Sequence, residues 1–475
     1  MTSTEFEALP WNGIDATTGE PLPRATLEQI ATLACGEPIA AGEIEELRRF
    51  RSGREEDHLD TRFEIDPRNL AETGWGVIFP EERQDALRAA LAPLLALRQD
   101  QASRQKEGRY RELVYRRGES KPRFLARYQV GPGPADPDLL PYYLLLAGSP
   151  EEISFRFQYQ LDVQYAVGRL SFDNLEDYAR YAESVVAAEL GRAVTDRRVS
   201  FFGISNPDDR ATASSRRNLV EPLAAHVARD RQGWSVETVL GPDATKAALA
   251  ERLGGARTPA LLFTAGHGLR FDPADPRHLP HQGALLCQDW PGPQGWRGPI
   301  SPDHYLAGED VPDSASPAGL IAFFFACYGA GTPVHDSFQM EGEPRRLAAS
   351  SFVSRLPQRL LAHPRGGALA VVGHVDRAWS FSFDWPESGA QLQVFESALG
   401  RLLAGYPVGA ATEYFNQRYA ELFTDLSEER EEVRWGARPD FLSLSQMWTA
   451  ANDARSYLLL GDPAVRLGPG PVAGA

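Results

Sequence analysis

Two short apolar runs limit what this chain can fold into. The first is Pro259-Ala-Leu-Leu-Phe-Thr-Ala-Gly-His267-Gly268, and the second is Gly319-Leu-Ile-Ala-Phe-Phe-Phe-Ala-Cys327-Tyr-Gly-Ala-Gly331. A continuous apolar run bounded by glycine reads as a strand buried on both faces, the pattern of a parallel sheet. Each run stops where a loop would leave the carboxyl end of such a sheet, and open α/β sheets place their ligand sites there. A histidine and a cysteine at two such strand tips supply a base and a nucleophile that can lie side by side.

Strands alternate with helical patterns along most of the chain, as parallel βαβ units require. Strands are expected at Gly74–Phe79, Tyr110–Tyr115, Tyr142–Ala147, Val199–Ile204, Trp234–Leu240 and Ala368–Gly373. Helices are expected from Pro80 to about Gln105, from Asp173 or Asn174 onward, and over Asn218–Asp230, Asp243–Leu253, Leu347–Leu361 and Ser388–Leu403. Near the start, Thr26–Ala34 and Ala41–Arg51 have the spacing of short helices. The stretch Arg270–Pro317 is longer than the ~15 residues at which loops usually carry a task of their own. It leaves from the His267 strand, so it is expected to wall the cleft. Thr424–Pro439, dense in Glu and Arg, reads as a solvated helix and turn.

The net charge of −16 argues against nucleic acid and against anionic membranes as partners. Cys35, Cys287 and Cys327 are the only cysteines in 475 residues, which is no disulfide framework. They suit a reducing compartment that keeps a thiol nucleophile active. No signal peptide and no apolar run of the ~20 residues a spanning helix needs is visible, so the expected location is cytoplasmic.

The order of motifs resembles the caspase-like cysteine peptidases of clan CD, in their gingipain and CHAT branches. The resemblance rests on Ala265-Gly-His267-Gly268, Phe325-Ala-Cys327-Tyr-Gly-Ala-Gly331, Gly366–Trp379 and Leu458–Leu467, with Tyr142–Ile153 and Tyr165–Leu170 upstream. It covers roughly residues 60 to 467 and implies an α/β fold: a mostly parallel sheet flanked by helices, preceded by a smaller α/β subdomain. The expected organisation is an N-terminal extension with a regulatory task (1–59), a first α/β subdomain (60–195), a catalytic domain (196–467) and a tail (468–475). By resemblance the chain is a cysteine endopeptidase with a Cys327–His267 dyad, acting in a regulated bacterial signalling, defence or cell-death pathway. The backbone N–H groups of Gly268 and Cys327 would form the oxyanion hole. Glycine after the histidine suits this physically, because no side chain blocks close approach. The sulfur is expected to be open to water, with its pKa lowered by a following helix N-terminus. Asn206 is a candidate to orient His267, against the plainer reading of a turn residue.

The substrate pocket is assigned to Ser205–Arg217 and Gly373–Ser380. Asp376 in the second region, with Asp209 in the first and Trp379 as a wall, would select Arg or Lys before the cut. Arg210, Arg216 and Arg377 lie in the same two regions and would select Asp or Glu instead. The partners expected are a protein or peptide substrate and a regulatory protein. No cofactor is implied and no metal site: His278-x-x-His281 is the nearest zinc-like spacing, and it sits among prolines without a matching pair. The alternative to an enzyme is a catalytically inactive relative that keeps the fold and binds partners.

Overall fold

The structure is a computed structural model and describes residues 13–22, 27–36, 65–193, 195–231, 233–338, 346–385 and 388–468. The expected helix at Ala41–Arg51 lies outside them. In chain order the strands are β1 (Gly13–Asp15), β2 (Trp75–Pro80), β3 (Tyr110–Tyr115), β4 (Tyr143–Ala147), β5 (Ala166–Leu170), β6 (Arg198–Gly203), β7 (Ser235–Leu240), β8 (Leu261–Ala265) and β9 (Gly268–Arg270). They continue with β10 (Leu285–Leu286), β11 (Tyr305–Leu306), β12 (Ile321–Phe325), β13 (Gly331–Thr332), β14 (Phe352–Val353), β15 (Ala370–His374), β16 (Asp384–Trp385), β17 (Gly389–Ala390) and β18 (Tyr457–Gly461).

Ten of these form one sheet in the order β3-β2-β4-β5-β18-β15-β12-β8-β6-β7. Neighbours run parallel except at β15–β18, which is antiparallel. The expected α/β class, a mostly parallel sheet flanked by helices, is what the chain adopts. Residues 75–170 supply four strands, and the late strand β18 joins them to the rest by pairing with both β5 and β15. The central strands read as unbroken apolar runs because both faces are covered: every residue of β4, β8, β12, β15 and β18 is buried.

The helices cover the faces, with local reasons for their limits. Asn174 caps Leu175–Glu189 by accepting from the Asp177 N–H. The helix expected from Pro80 to Gln105 is instead two, Gln84–Ala90 and Ala92–Ala102. Pro93 has no N–H to give to a continuous helix, so the chain restarts with proline in a first turn. The helix expected at Leu347–Leu361 starts only at Arg355, because Phe352–Val353 is drawn into pairing with Gly331–Thr332. Asp243–Leu253 shortens to Lys246–Ala250, with Thr245 as cap. The helix expected within Thr424–Pro439 is the end of a longer one, Val408–Arg434, which packs against Phe441–Arg455, a helix without a marked pattern in the sequence; Thr424, Leu426 and Ser427 are buried, not solvated.

The long stretch after His267 is not a bare loop. It holds β9, β10 and β11, which with β1 form a second, four-stranded sheet in the order β1-β9-β10-β11. That sheet has its own apolar cluster, including Ile14, Leu269, Phe271, Trp290 and Ile300. At the far side of the molecule, Gly461-Asp462-Pro463 closes the main sheet. Buried Asp462 accepts from the Trp75 indole at 2.9 Å and the Arg98 guanidinium at 2.7 Å, as a structural turn would. Among the described residues no helix is long and apolar enough to cross a membrane.

Candidate active site

Strands β6, β8, β12 and β15 run parallel, so their carboxyl ends share one edge. The loops from that edge carry Asp209, His267, Cys327 and Asp376–Trp379. Residues far apart in sequence are thus set side by side by register alone: Phe325 lies opposite Ala265, two residues before each reactive side chain.

Beyond the strand tips the two backbones touch. A Cβ added at Gly268 would sit 1.8 Å from the Cys327 carbonyl oxygen and 2.9 Å from the Cys327 nitrogen. Glycine after the histidine is required, as expected, but the group it admits is the Cys327 backbone itself. The chain then turns sharply. Tyr328 takes φ 57°, a left-handed conformation that costs a side-chain-bearing residue energy. Its N–H donates to the Asp376 carbonyl at 2.8 Å and its carbonyl accepts from the Ser354 hydroxyl at 2.6 Å. Those bonds hold the turn in place.

The imidazole of His267 is buried, and its Nε2 lies 2.6 Å from Asp209 Oδ2. Its ring meets Trp290 edge to face at a centroid distance of 6.4 Å. The stretch after His267 therefore walls this edge, as the sequence suggests. Asp209 also accepts from the Thr212 hydroxyl at 2.7 Å and from the Ala211 N–H at 3.1 Å, capping the helix Arg210–Ser215. Burial on its own would raise the Asp209 carboxyl, but the imidazole and these donors outweigh it and hold the pKa below the ordinary carboxylate value. Asn206 does not orient the histidine. Its amide donates to the carbonyls of Cys287 (3.1 Å) and Trp290 (2.8 Å), fastening the loop, while Asp209 three residues on takes the imidazole. With Nε2 engaged, His267 Nδ1 is the free nitrogen, buried and without a hydrogen-bond partner among the described residues.

Cys327 departs from expectation. Its thiol is fully buried, not open to water, and accepts from the Ala378 N–H at 3.2 Å. No helix follows it; a turn and the short strand β13 do. Burial pushes its pKa up to about 12, against smaller lowering contributions from the Ala378 N–H and Arg377. Sγ makes no hydrogen bond to His267; its partners among the described residues are both at Ala378. Beside Ala378, β1 also lies against the sulfur: a Cβ added at Gly13 would sit 3.0 Å from Cys327 Sγ.

Arg377 and Trp379 flank Ala378, whose N–H meets the thiol, and Asp376 precedes Arg377 in the same loop. Asp376 is buried, and its carboxylate accepts from the Arg377 N–H at 2.9 Å. Burial, then the neighbouring Asp336, raise its pKa to about 6, although Arg377 pulls the other way. The Arg377 guanidinium is tied to Asp336 at 2.6 Å and lies over the Phe338 ring. Trp379 is buried, packs on Phe338 at 4.7 Å, and its backbone N–H donates to Asp453 Oδ1 at 2.9 Å. Asp453 was not read from the sequence, and nothing in its local pattern marks it. It comes from the end of the helix Phe441–Arg455 and also accepts from Ser382, which fixes the loop that carries Ala378. The zinc-like pair is engaged elsewhere: His278 meets the Leu347 carbonyl at 2.8 Å and His281 the Tyr305 hydroxyl at 2.7 Å.

No protein-family description matches the chain, and no curated protein sequence does. Solved structures do resemble it in part. One described as a protease is 12% identical, with a TM-score of 0.47, covering 85% of this chain and 80% of its own. The complex of the pro- and mature domains of RgpB from Porphyromonas gingivalis is 11% identical, with a TM-score of 0.43, covering 83% and 80%. The Arg-specific cysteine proteinase gingipain R is 12% identical, with a TM-score of 0.44, covering 83% and 78%.

Proposed function

We propose that this chain is a cysteine endopeptidase of the caspase-like kind, acting on a protein or peptide substrate. The observation that carries the reading is the His267–Asp209 bond of 2.6 Å at the sheet edge where the Gly268 and Cys327 backbones meet. A carboxylate held ionised against one imidazole nitrogen fixes the ring and stabilises it when it takes a proton. The other nitrogen, Nδ1, is then the one that accepts the proton from the Cys327 thiol, and the thiolate attacks the peptide carbonyl. The same nitrogen returns the proton to the leaving amine. The backbone N–H groups of Gly268 and Cys327 would stabilise the oxyanion. Asp209, first read as a pocket residue, is placed here as a positioning residue for His267.

The chemistry requires Cys327 to be uncovered, since a thiol with a pKa near 12 is not a nucleophile at neutral pH. That burial is also the one observation favouring the second reading, an inactive partner-binding module. Against it stands His267: its imidazole is fixed by an ionised carboxylate on one side, and its second nitrogen has no hydrogen-bond partner among the described residues.

For specificity we favour Arg or Lys before the cut. Asp376 is a buried carboxylate, and its rival Arg377 is already neutralised by Asp336. Of the other cations, Arg216 lies 3.6 Å from Glu221. The test uses a variant in which Cys327 is uncovered and compares two peptidyl chloromethyl ketones, one ending in arginine and one in glutamate, mapped by mass spectrometry. The arginine probe is expected to modify Cys327, and to do so more slowly in Asp376→Ala. Faster modification by the glutamate probe would reverse the pocket assignment.

A further inference from the structure

We infer that residues 13–22 are a built-in latch: they add a strand to the edge of β9 and keep the chain latent by covering Cys327. The inference rests on Cys327 being the nucleophile.

The latch begins with backbone pairing. Gly13, Ile14 and Asp15 lie parallel to Gly268, Leu269 and Arg270, immediately after the candidate base. A strand edge is a docking surface for extended chain, since its unpaired N–H and C=O groups accept any backbone. Here the occupant is the chain's own segment. It carries three further anchors. Ile14 and Ala16 enter the apolar cluster that also holds Leu269, Phe271 and Trp290, and Trp290 is the residue packed on His267. The Asp15 carboxylate pairs with the Arg270 guanidinium, both mostly buried. The Ala16 carbonyl accepts from the Ile300 N–H at 2.9 Å.

The segment folds back on itself, so it is preformed rather than merely draped. Asp15 accepts from the Thr17 N–H at 2.9 Å, the Asp15 N–H donates to the Glu20 carbonyl at 2.9 Å, and Ile14 bridges Pro21. Gly19, at φ 72°, makes the return. The outcome is that a residue without a side chain is laid over the sulfur. Any larger residue at position 13 would have to displace Leu22, 2.7 Å from its Cβ, or the thiol, 3.0 Å away. Moving residues 13–22 off the edge of β9 would take Gly13 from beside Sγ, and with it Leu22, which packs in the main apolar cluster, while leaving the strand pairing of the main sheet intact.

The geometry supplies its own test. In a disulfide the Cβ of one partner stands about 3 Å from the sulfur of the other, as an S–S bond of ~2.04 Å fixes. The full-length variant Gly13→Cys should therefore crosslink to Cys327 under mild oxidation, and Thr17→Cys, on the exposed turn, should not. In a second arm, Asp15→Lys sets like charges against each other at Arg270 and removes the turn's acceptor. Iodoacetamide labelling of Cys327 should then speed up on the order of a hundredfold, the scale of losing one partner of a buried pair. Buried Cys287 should stay protected. Absence of the crosslink, or labelling of Cys327 in Asp15→Lys at the wild-type rate, would overturn the latch. So would parallel labelling of Cys287, because protection would then be lost globally. If Cys327 becomes reactive in Asp15→Lys yet no peptide in a broad fluorogenic panel is cut, residues 13–22 are shown to cover the thiol, but the peptidase reading falls and latency falls with it.

Discussion

Raising the pH of the intact wild-type chain should show how tightly the sulfur is held. Burial takes the Cys327 pKa from an ordinary 9.0 to about 12. Three units amount to roughly 4 kcal/mol against forming the thiolate in place. At neutral pH the thiolate fraction is then about a thousandfold smaller than for an unshifted thiol, and alkylation should slow in proportion. The assay is iodoacetamide labelling followed by peptide mapping between pH 6 and 9, with the exposed Cys35 as internal reference. The Cys327 rate should climb about tenfold per pH unit with no plateau in that window. The same shift has a stability consequence of definite sign. A folded pKa above the unfolded one means that the contribution is whole below about pH 9 and is lost as pH rises towards about 12. Labelling of Cys327 as fast as that of Cys35, or a plateau below pH 8, would refute the claim that the thiol is enclosed.

Other expectations test separate parts of the site. In the latch-released Asp15→Lys chain, Asp209→Asn keeps a helix-capping acceptor but removes the charge 2.6 Å from His267; kcat should fall about 10- to 100-fold with KM little changed, the scale of one charge-assisted bond. A drop in Tm without loss of kcat would assign Asp209 to the cap alone. Gly268→Ala drives a Cβ to 1.8 Å from the Cys327 carbonyl oxygen, whereas Gly266→Ala comes within 3 Å of the Ile204 side chain alone, at 2.8 Å; the first should lower the urea midpoint far more than the second. Equal effects would mean the two backbones do not touch in solution. Asp376, raised to about 6, favours the folded state fully below about pH 3.8, and this is lost as pH rises through about 6. Asp376→Asn should accordingly gain on the order of 3 kcal/mol relative to wild type between acid and neutral pH, read from thermal melts at pH 4 and pH 7.5, and a constant difference across that range would remove the buried charge.

Much of this sheet edge was legible because parallel strands announce themselves. The runs ending at His267 and Cys327 are apolar on both faces, and they become neighbours β8 and β12 in register. The position of His267 and Cys327 beyond those ends follows from the same pattern. Their immediate partners were not legible. Asp209 sits in a loop whose composition, with Asp208 and Asn206 nearby, offers several equivalent acceptors; only the fold selects one. The cover over Cys327 comes from Gly13, more than three hundred residues away, and a three-residue strand has no period to detect. The end of Phe441–Arg455 that brings Asp453 to the Ala378 loop is equally silent, since a buried aspartate in a helix looks like any other until its partners are known. The expected helix at Leu347–Leu361 failed for a similar reason: its spacing is helical, but pairing with Gly331–Thr332 claims its first part.

The most direct measurement places Cys327→Ala and His267→Ala in the latch-released Asp15→Lys chain and follows hydrolysis of fluorogenic peptides. Cleavage in Asp15→Lys alone, abolished by either further substitution while the thermal melt is kept, is the expected result. Cleavage that survives Cys327→Ala would contradict the nucleophile assignment and with it the whole reading of this edge.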